Sequence, residues 1–141
     1  MIDSFELQRF VDAQESVFET ALADLRAGRK QTHWMWFVFP QLAGPGRSPT
    51  AQFYAIRSAS EARAYLAHPL LGARYREAVA AARRWAGKRD AAGIFGEIDA
   101  MKLRSSLTLF EALSGDPLFA DARTEFFDAP DPETLRLLKQ A

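Results

Sequence analysis

The sequence predicts an all-α fold, a compact bundle of about seven helices in one domain over residues 1–141. Three observations carry that expectation. Apolar residues recur at the helical period of 3.6 through the longer segments. Ser48–Pro49, Asp116–Pro117 and Asp131–Pro132 each pair an N-capping side chain with a proline suited to the first helical position. One apolar run reads equally as strand or helix, and no second strand candidate exists to pair with it.

The first helix spans residues 5–26. On a 100° wheel Leu7, Phe10, Val11, Val17, Phe18, Ala21, Leu22 and Leu25 share one arc. Arg9, Asp12, Glu15, Ser16 and Glu19 lie opposite. Gly28 suits the C-terminal turn, and Arg26 complements the helix dipole there. Residues 32–39, THWMWFVF, form the ambiguous apolar run, read as a short buried helix stopped by Pro40. Residues 41–48, QLAGPGRS, are a loop. A helix over 49–57 follows, and Ser58-Ala59-Ser60-Glu61 is a capping box opening another to about residue 67.

His68 precedes Pro69 and is pushed out of helical angles. The segment 70–86 then carries Leu71, Tyr75, Ala78, Val79, Ala82 and Trp85 near one face. A short turn or helix covers 90–95 and a full helix covers 97–114. Two more helices run to Phe127 and over 132–139, both opened by Asp-Pro. No repeat, linker or low-complexity stretch interrupts the chain.

Composition narrows the function classes. A chain of 141 residues can bury roughly 70% of its unfolded surface. The absence of cysteine excludes disulfides, a thiol nucleophile and cysteine-ligated metal sites. Two histidines, His33 and His68, without a tight carboxylate pattern make no metal site, and no cofactor motif occurs. The N-terminus lacks a basic region followed by an apolar stretch, and no apolar run approaches ~18 residues. A cytoplasmic protein with no membrane partner is expected.

The formal charge of zero hides a pattern. Residues 1–25 carry one base and six acids, residues 26–89 twelve bases and two acids, and residues 90–141 five bases and ten acids. The three segments therefore hold −5, +10 and −5. Either the acidic segments pack beside the basic one and neutralise it, or part of the basic segment faces an anion. Nucleic acid is disfavoured as the partner, because binding domains usually carry net positive charge and this pI is near 6.7.

Candidate site residues are polar groups on faces that should be apolar. In the segment 97–114 the apparent buried arc is Ile98, Met101, Leu109, Phe110 and Leu113. Lys102, Ser105 and Ser106 fall inside it, with Asp99 at its edge. A buried, unpaired ammonium costs several kcal/mol, so Lys102 either pairs with Asp99 or faces a polar pocket. Gln14 sits in the middle of the first helix's apolar arc and needs partners, from a neighbouring backbone or from a ligand. Trp34 and Trp36 are core residues or a stacking wall for a planar ligand. His33, paired with Asp99, is the proton-transfer candidate if there is chemistry. The loop Gly44-Pro45-Gly46-Arg47-Ser48 precedes a helix and suits an anion, although Pro45 removes one amide donor. No GxSxG, HExxH, GxGxxG or Walker A ending is present.

His33-Trp34-Met35-Trp36-Phe37-Val38-Phe39-Pro40-Gln41, followed by Leu42-Ala43-Gly44-Pro45-Gly46-Arg47-Ser48, resembles the signature of a bacterial domain-of-unknown-function family. Some of its members carry the label calpastatin. The resemblance continues through Ala64-Tyr65-Leu66-Ala67-His68-Pro69-Leu70-Leu71-Gly72, Arg104-Ser105-Ser106 and Asp131-Pro132-Glu133. It implies a compact all-helical domain and no settled activity. The calpastatin label conflicts with the composition, since that inhibitor is long and disordered.

Together these residues define a pocket for a phosphorylated or nucleotide-like small molecule. Gln14, Trp34, Trp36, Gln41, Arg47, Lys102, Ser105 and Ser106 are its candidate ligand contacts, with His33 and Asp99 as candidate catalytic groups. The pattern names no reaction. Two alternatives stand beside it: an interaction module without catalysis, expected to expose an apolar patch, and a weak nucleic-acid binder through residues 26–89, expected to be salt-sensitive.

Overall fold

Prolines and small polar side chains set where the helices begin. In the computed structural model, which describes residues 3–44 and 48–140, Ser48 Oγ accepts the Ala51 N–H and opens α4 (Pro49–Tyr54). Ser58 Oγ accepts the Glu61 N–H and opens α5 (Ala59–Ala67). The capping box is displaced by one residue, because the Glu61 carboxylate reaches back to the Arg57 N–H rather than to Ser58. His68, held extended by Pro69, uses Nδ1 to accept the Leu70 and Leu71 N–H groups and opens α6 (Pro69–Arg83).

Asp90 caps α7 (Ala91–Phe95) through Gly93. Gly96, at φ +83°, turns the chain directly into α8 (Glu97–Leu113). Asp116 and Asp131, each before a proline, cap α9 (Pro117–Phe126) and α10 (Pro132–Leu138). The all-α expectation holds: the described residues form ten helices, seven of them at least seven residues long. The β pairing among the described residues is an isolated parallel bridge between Leu42 and Ile56.

Two expectations are corrected. The helix expected over 5–26 is two helices, α1 (Gln8–Glu15) and α2 (Phe18–Arg26). Val17, at φ −123°, leaves helical angles, and its N–H bonds to the Gln14 carbonyl in a tight turn. The break lets α1 pack on α3 (Met35–Val38) while α2 packs on α6. One straight rod could not do both. The second correction concerns α8, whose core-facing stripe is Ala100, Leu103, Ser106, Leu107 and Phe110. Ile98 and Met101, expected to be buried, are 74% and 70% exposed.

One core cluster joins all these elements. Its centre is aromatic. Tyr75 packs 4.5 Å from Phe110 and 5.3 Å from Phe119, and Tyr65 meets Phe10 edge-on at 5.1 Å. Trp34, Phe39 and Phe95 extend the cluster. No described helix is long and apolar enough to cross a membrane.

Candidate functional site

A cavity of about 460 Å³ opens where four pieces of chain meet. Its walls are the end of α3 with the 41–44 segment, α4 with residues 55–57, the first half of α8, and α10. The bridge at Leu42 holds the first two walls together: the Ala43 N–H bonds to Ile56 O, and the Ile56 N–H to Gln41 O. The Asp131 network ties the last two walls. Its Oδ2 accepts from the Thr134 N–H, from the Thr134 hydroxyl at 2.6 Å and from Ser105 Oγ at 3.0 Å. Thr108 Oγ1 accepts the Asp131 N–H.

Lys102 projects from α8 into this space. Its ammonium lies 4.2 Å from the Trp36 ring centroid and 3.1 Å from Asp99 Oδ1. The other oxygen of Asp99 takes the ammonium of Lys30 at 2.9 Å, and Lys30 also donates to the Thr32 carbonyl. One carboxylate thus serves two ammonium groups, and the trio keeps one net positive charge. Burial alone would raise the Asp99 pKa, but the hydrogen bonds and charges of Lys30 and Lys102 outweigh it and hold the group below its ordinary value. Asp99 is a fixed anion that orients Lys102, which makes it a poor proton donor near neutral pH.

The remaining walls are mixed. Arg57, Lys102 and Glu133 are the charged lining side chains, with a sum of +1, and Glu133 is engaged by Arg136. Trp36, Leu42, Tyr54, Ile98, Met101 and Leu137 supply apolar surface. Gln41 Nε2 is buried without a hydrogen-bond partner, and no other described side chain has a buried polar atom in that state. A buried amide left unpaired costs roughly 1–3 kcal/mol, and Gln41 is a lining residue of the cavity.

Of the residues expected from sequence, Trp36, Gln41, Lys102 and Ser105 share this cavity. Gln14 does not line it. Its amide is spent in the core, donating to the Phe37 carbonyl at 2.6 Å and to the Tyr65 hydroxyl at 3.1 Å, with Arg74 at its oxygen. Trp34 is 1% exposed and donates Nε1 to Asp24 Oδ2, so it is a core residue and not a stacking wall. Ser106 bonds to Tyr75 in the core because its position falls on the buried stripe of α8. His33 is exposed and outside the cavity lining. Asp99 touches the cavity only through Lys102. Arg47, with Pro45 and Gly46 of the Gly-Pro-Gly loop, lies outside the described residues.

Sequence reasoning missed Arg57, Tyr54, Thr134 and Leu137. They are ordinary residues of α4, α10 and the turn after α4, and only their convergence distinguishes them. The signal for Ile98 and Met101 was present but misassigned. An apolar pair flanking Lys102 was read as core, although it forms the cavity rim.

A family model described as a protein of unknown function, DUF1810, matches residues 4–138, and the chain belongs to this bacterial family. Among solved structures the chain is similar to the conserved hypothetical protein Rv1873 from Mycobacterium tuberculosis. The two are 44% identical over 97% of this chain and 99% of that one, with a TM-score of 0.94. Among curated proteins none matches.

Proposed function

We propose that the cavity between α4, α8 and α10 binds a small molecule with an anionic group and a planar or apolar body, of the phosphorylated or nucleotide-like class. The unpaired Gln41 Nε2 is the observation that carries this reading. Beside it stand a partly buried cation over an indole, Lys102 on Trp36, and a second cation, Arg57. In this arrangement Lys102 and Arg57 hold the anion, Gln41 donates to an acceptor on the body, and Trp36 with Met101 covers its apolar part. Catalysis is not part of the proposal, because Asp99 is committed to two ammonium groups and His33 is absent from the cavity lining.

A thermal-shift screen against nucleotides and sugar phosphates tests it. A ligand at 100 times its Kd stabilises by about 2.7 kcal/mol, an easily measured shift. Lys102→Ala should abolish the shift while the protein stays folded. Gln41→Leu should weaken the ligand yet leave the free protein as stable or more so, since it removes an unpaired buried donor. A ligand whose shift survives Lys102→Ala sinks the reading, as does a screen with no shift at all.

The 74% exposed Ile98 and 70% exposed Met101 at the rim favour a second reading, a protein partner seated over the cavity. Under that reading Ile98→Asp with Met101→Asp abolishes partner capture and leaves small-molecule shifts untouched.

A further inference from the structure

The basic middle segment is only partly neutralised by acids. Lys30 pairs with Asp99, Arg76 with Asp116, and Arg83 with Glu125 and Asp121. Of the bases with no carboxylate partner among the described residues, Arg84, Lys88 and Arg89 gather where the C-terminal ends of α2 and α6 meet. That junction is fixed by Trp85, whose Nε1 donates to the Leu25 carbonyl, and by Arg89, whose guanidinium donates to the Gly28 carbonyl. Arg26, Ala81, Arg84, Trp85 and Lys88 line a cleft of about 370 Å³ there.

Within it Arg84 and Lys88 are exposed and have no carboxylate partner among the described residues. Arg26 has one, Glu77, at the loose distance of 3.7 Å. Three lining cations therefore face one carboxylate, and Arg89 adds a fourth positive charge beside Trp85. The carbonyl ends of two helices account for part of this charge, but each is equivalent to only about half a negative charge. The surplus remains.

We infer that this cleft is a second anion site, separate from the α8 cavity, and that it takes a short chain of phosphate groups. Several closely spaced cations on a small concave surface match several closely spaced negative charges better than one carboxylate. The Trp85 ring is already packed against Gly28 and beneath Arg89, and its N–H is used. It is a structural part of the cleft and not a free platform for a base. The phosphate chain itself is the recognised element, whether free or carried by a nucleotide. Duplex-scale binding is not expected, because the whole chain has zero net charge.

Isothermal titration at low ionic strength with sodium tripolyphosphate, and separately with ATP, tests the inference. Tripolyphosphate should bind the full chain, and in the Lys102→Ala variant, where the α8 cavity is disabled, ATP should bind no tighter than tripolyphosphate. Arg84→Ala with Lys88→Ala should weaken tripolyphosphate at least roughly tenfold, given that each charge-assisted bond contributes appreciably. Both positions are exposed, so the fold should persist, with an unchanged circular dichroism spectrum as the check. Lys102→Ala should leave tripolyphosphate affinity unchanged whether or not the α8 cavity binds a ligand. The inference is overturned by no binding, by full affinity in the double variant, by loss of binding in Lys102→Ala, or by a base-dependent gain for ATP that persists in Lys102→Ala.

Discussion

Asp24 illustrates how one side chain can organise a stretch of backbone. It is buried, and its Oδ2 receives the Gln31 and Thr32 N–H groups, the Thr32 hydroxyl and the Trp34 indole N–H. Burial pushes its pKa up, but these donors outweigh burial and hold it below the ordinary 3.8. Asp99 and Asp131 show the same balance. For all three the folded pKa lies below the unfolded one. Their contribution is complete above roughly pH 4 and disappears as pH falls through the lower folded values. Urea midpoints should therefore hold from neutral pH to about 4 and drop below it, and Asp24→Ala should flatten that drop. The same variant should cost about 3 kcal/mol at pH 7, because it orphans the buried Trp34 N–H and removes the acceptor of three partly buried donors.

Arg9 is a parallel case. It sits opposite the apolar arc of α1, yet it donates to Phe5 O, Phe53 O, Ala55 O and the Glu61 carboxylate, which is almost fully buried. Arg9→Ala leaves that carboxylate uncompensated, and a loss of roughly 3–5 kcal/mol in denaturant melts is expected.

At the scale of elements, helix starts were legible and helix faces were not. Ser48, Ser58, Asp116 and Asp131 cap the helices that their sequence context predicts, since the capping bond spans only two or three residues. Ser58→Ala should cost ~1 kcal/mol and fray the start of α5, visible as faster amide exchange at Glu61. The faces depend on what packs alongside. The first half of α8 has core on one side and the cavity on the other, so its two apolar stripes merged on the wheel and made Lys102 look buried. Close approach between helices is equally invisible locally. A Cβ on Gly72 would come within 2.1 Å of the Leu66 carbonyl, where α6 crosses the end of α5. Gly72→Ala should lower stability by about 2 kcal/mol or more, because backbone cannot yield as a side-chain tip can. An unchanged melting temperature would show that α5 shifts freely.

For the whole molecule, the division of charge into −5, +10 and −5 is now physical. Asp99, Asp116 and Glu125 from the last segment meet Lys30, Arg76 and Arg83 from the middle one. Most of these pairs are partly exposed, so they contribute little individually and mainly set which surfaces remain positive. Stability rests on the continuous aromatic and aliphatic cluster that every helix except α4 and α10 enters with fully buried side chains. One cluster should melt as one unit. Far-ultraviolet dichroism and tryptophan fluorescence should give coincident urea transitions, with Trp34 in the core and Trp85 at the α2–α6 junction reporting together. Separate midpoints would mean that the two regions unfold independently.

By itself the sequence determined the helical class, the helix starts at the Ser and Asp caps that precede proline, and the need to satisfy Gln14. These follow from interactions within a few residues or from the chemistry of one side chain. The tertiary structure decided that Gln14, Trp34 and Ser106 belong to the core while Trp36, Gln41, Lys102 and Ser105 meet at a cavity. It also decided that Arg57 joins them and that Arg26, Arg84, Lys88 and Arg89 collect around Trp85. Burial and convergence depend on elements far apart in the chain, and a helical period records only that a face is apolar, not what lies across from it.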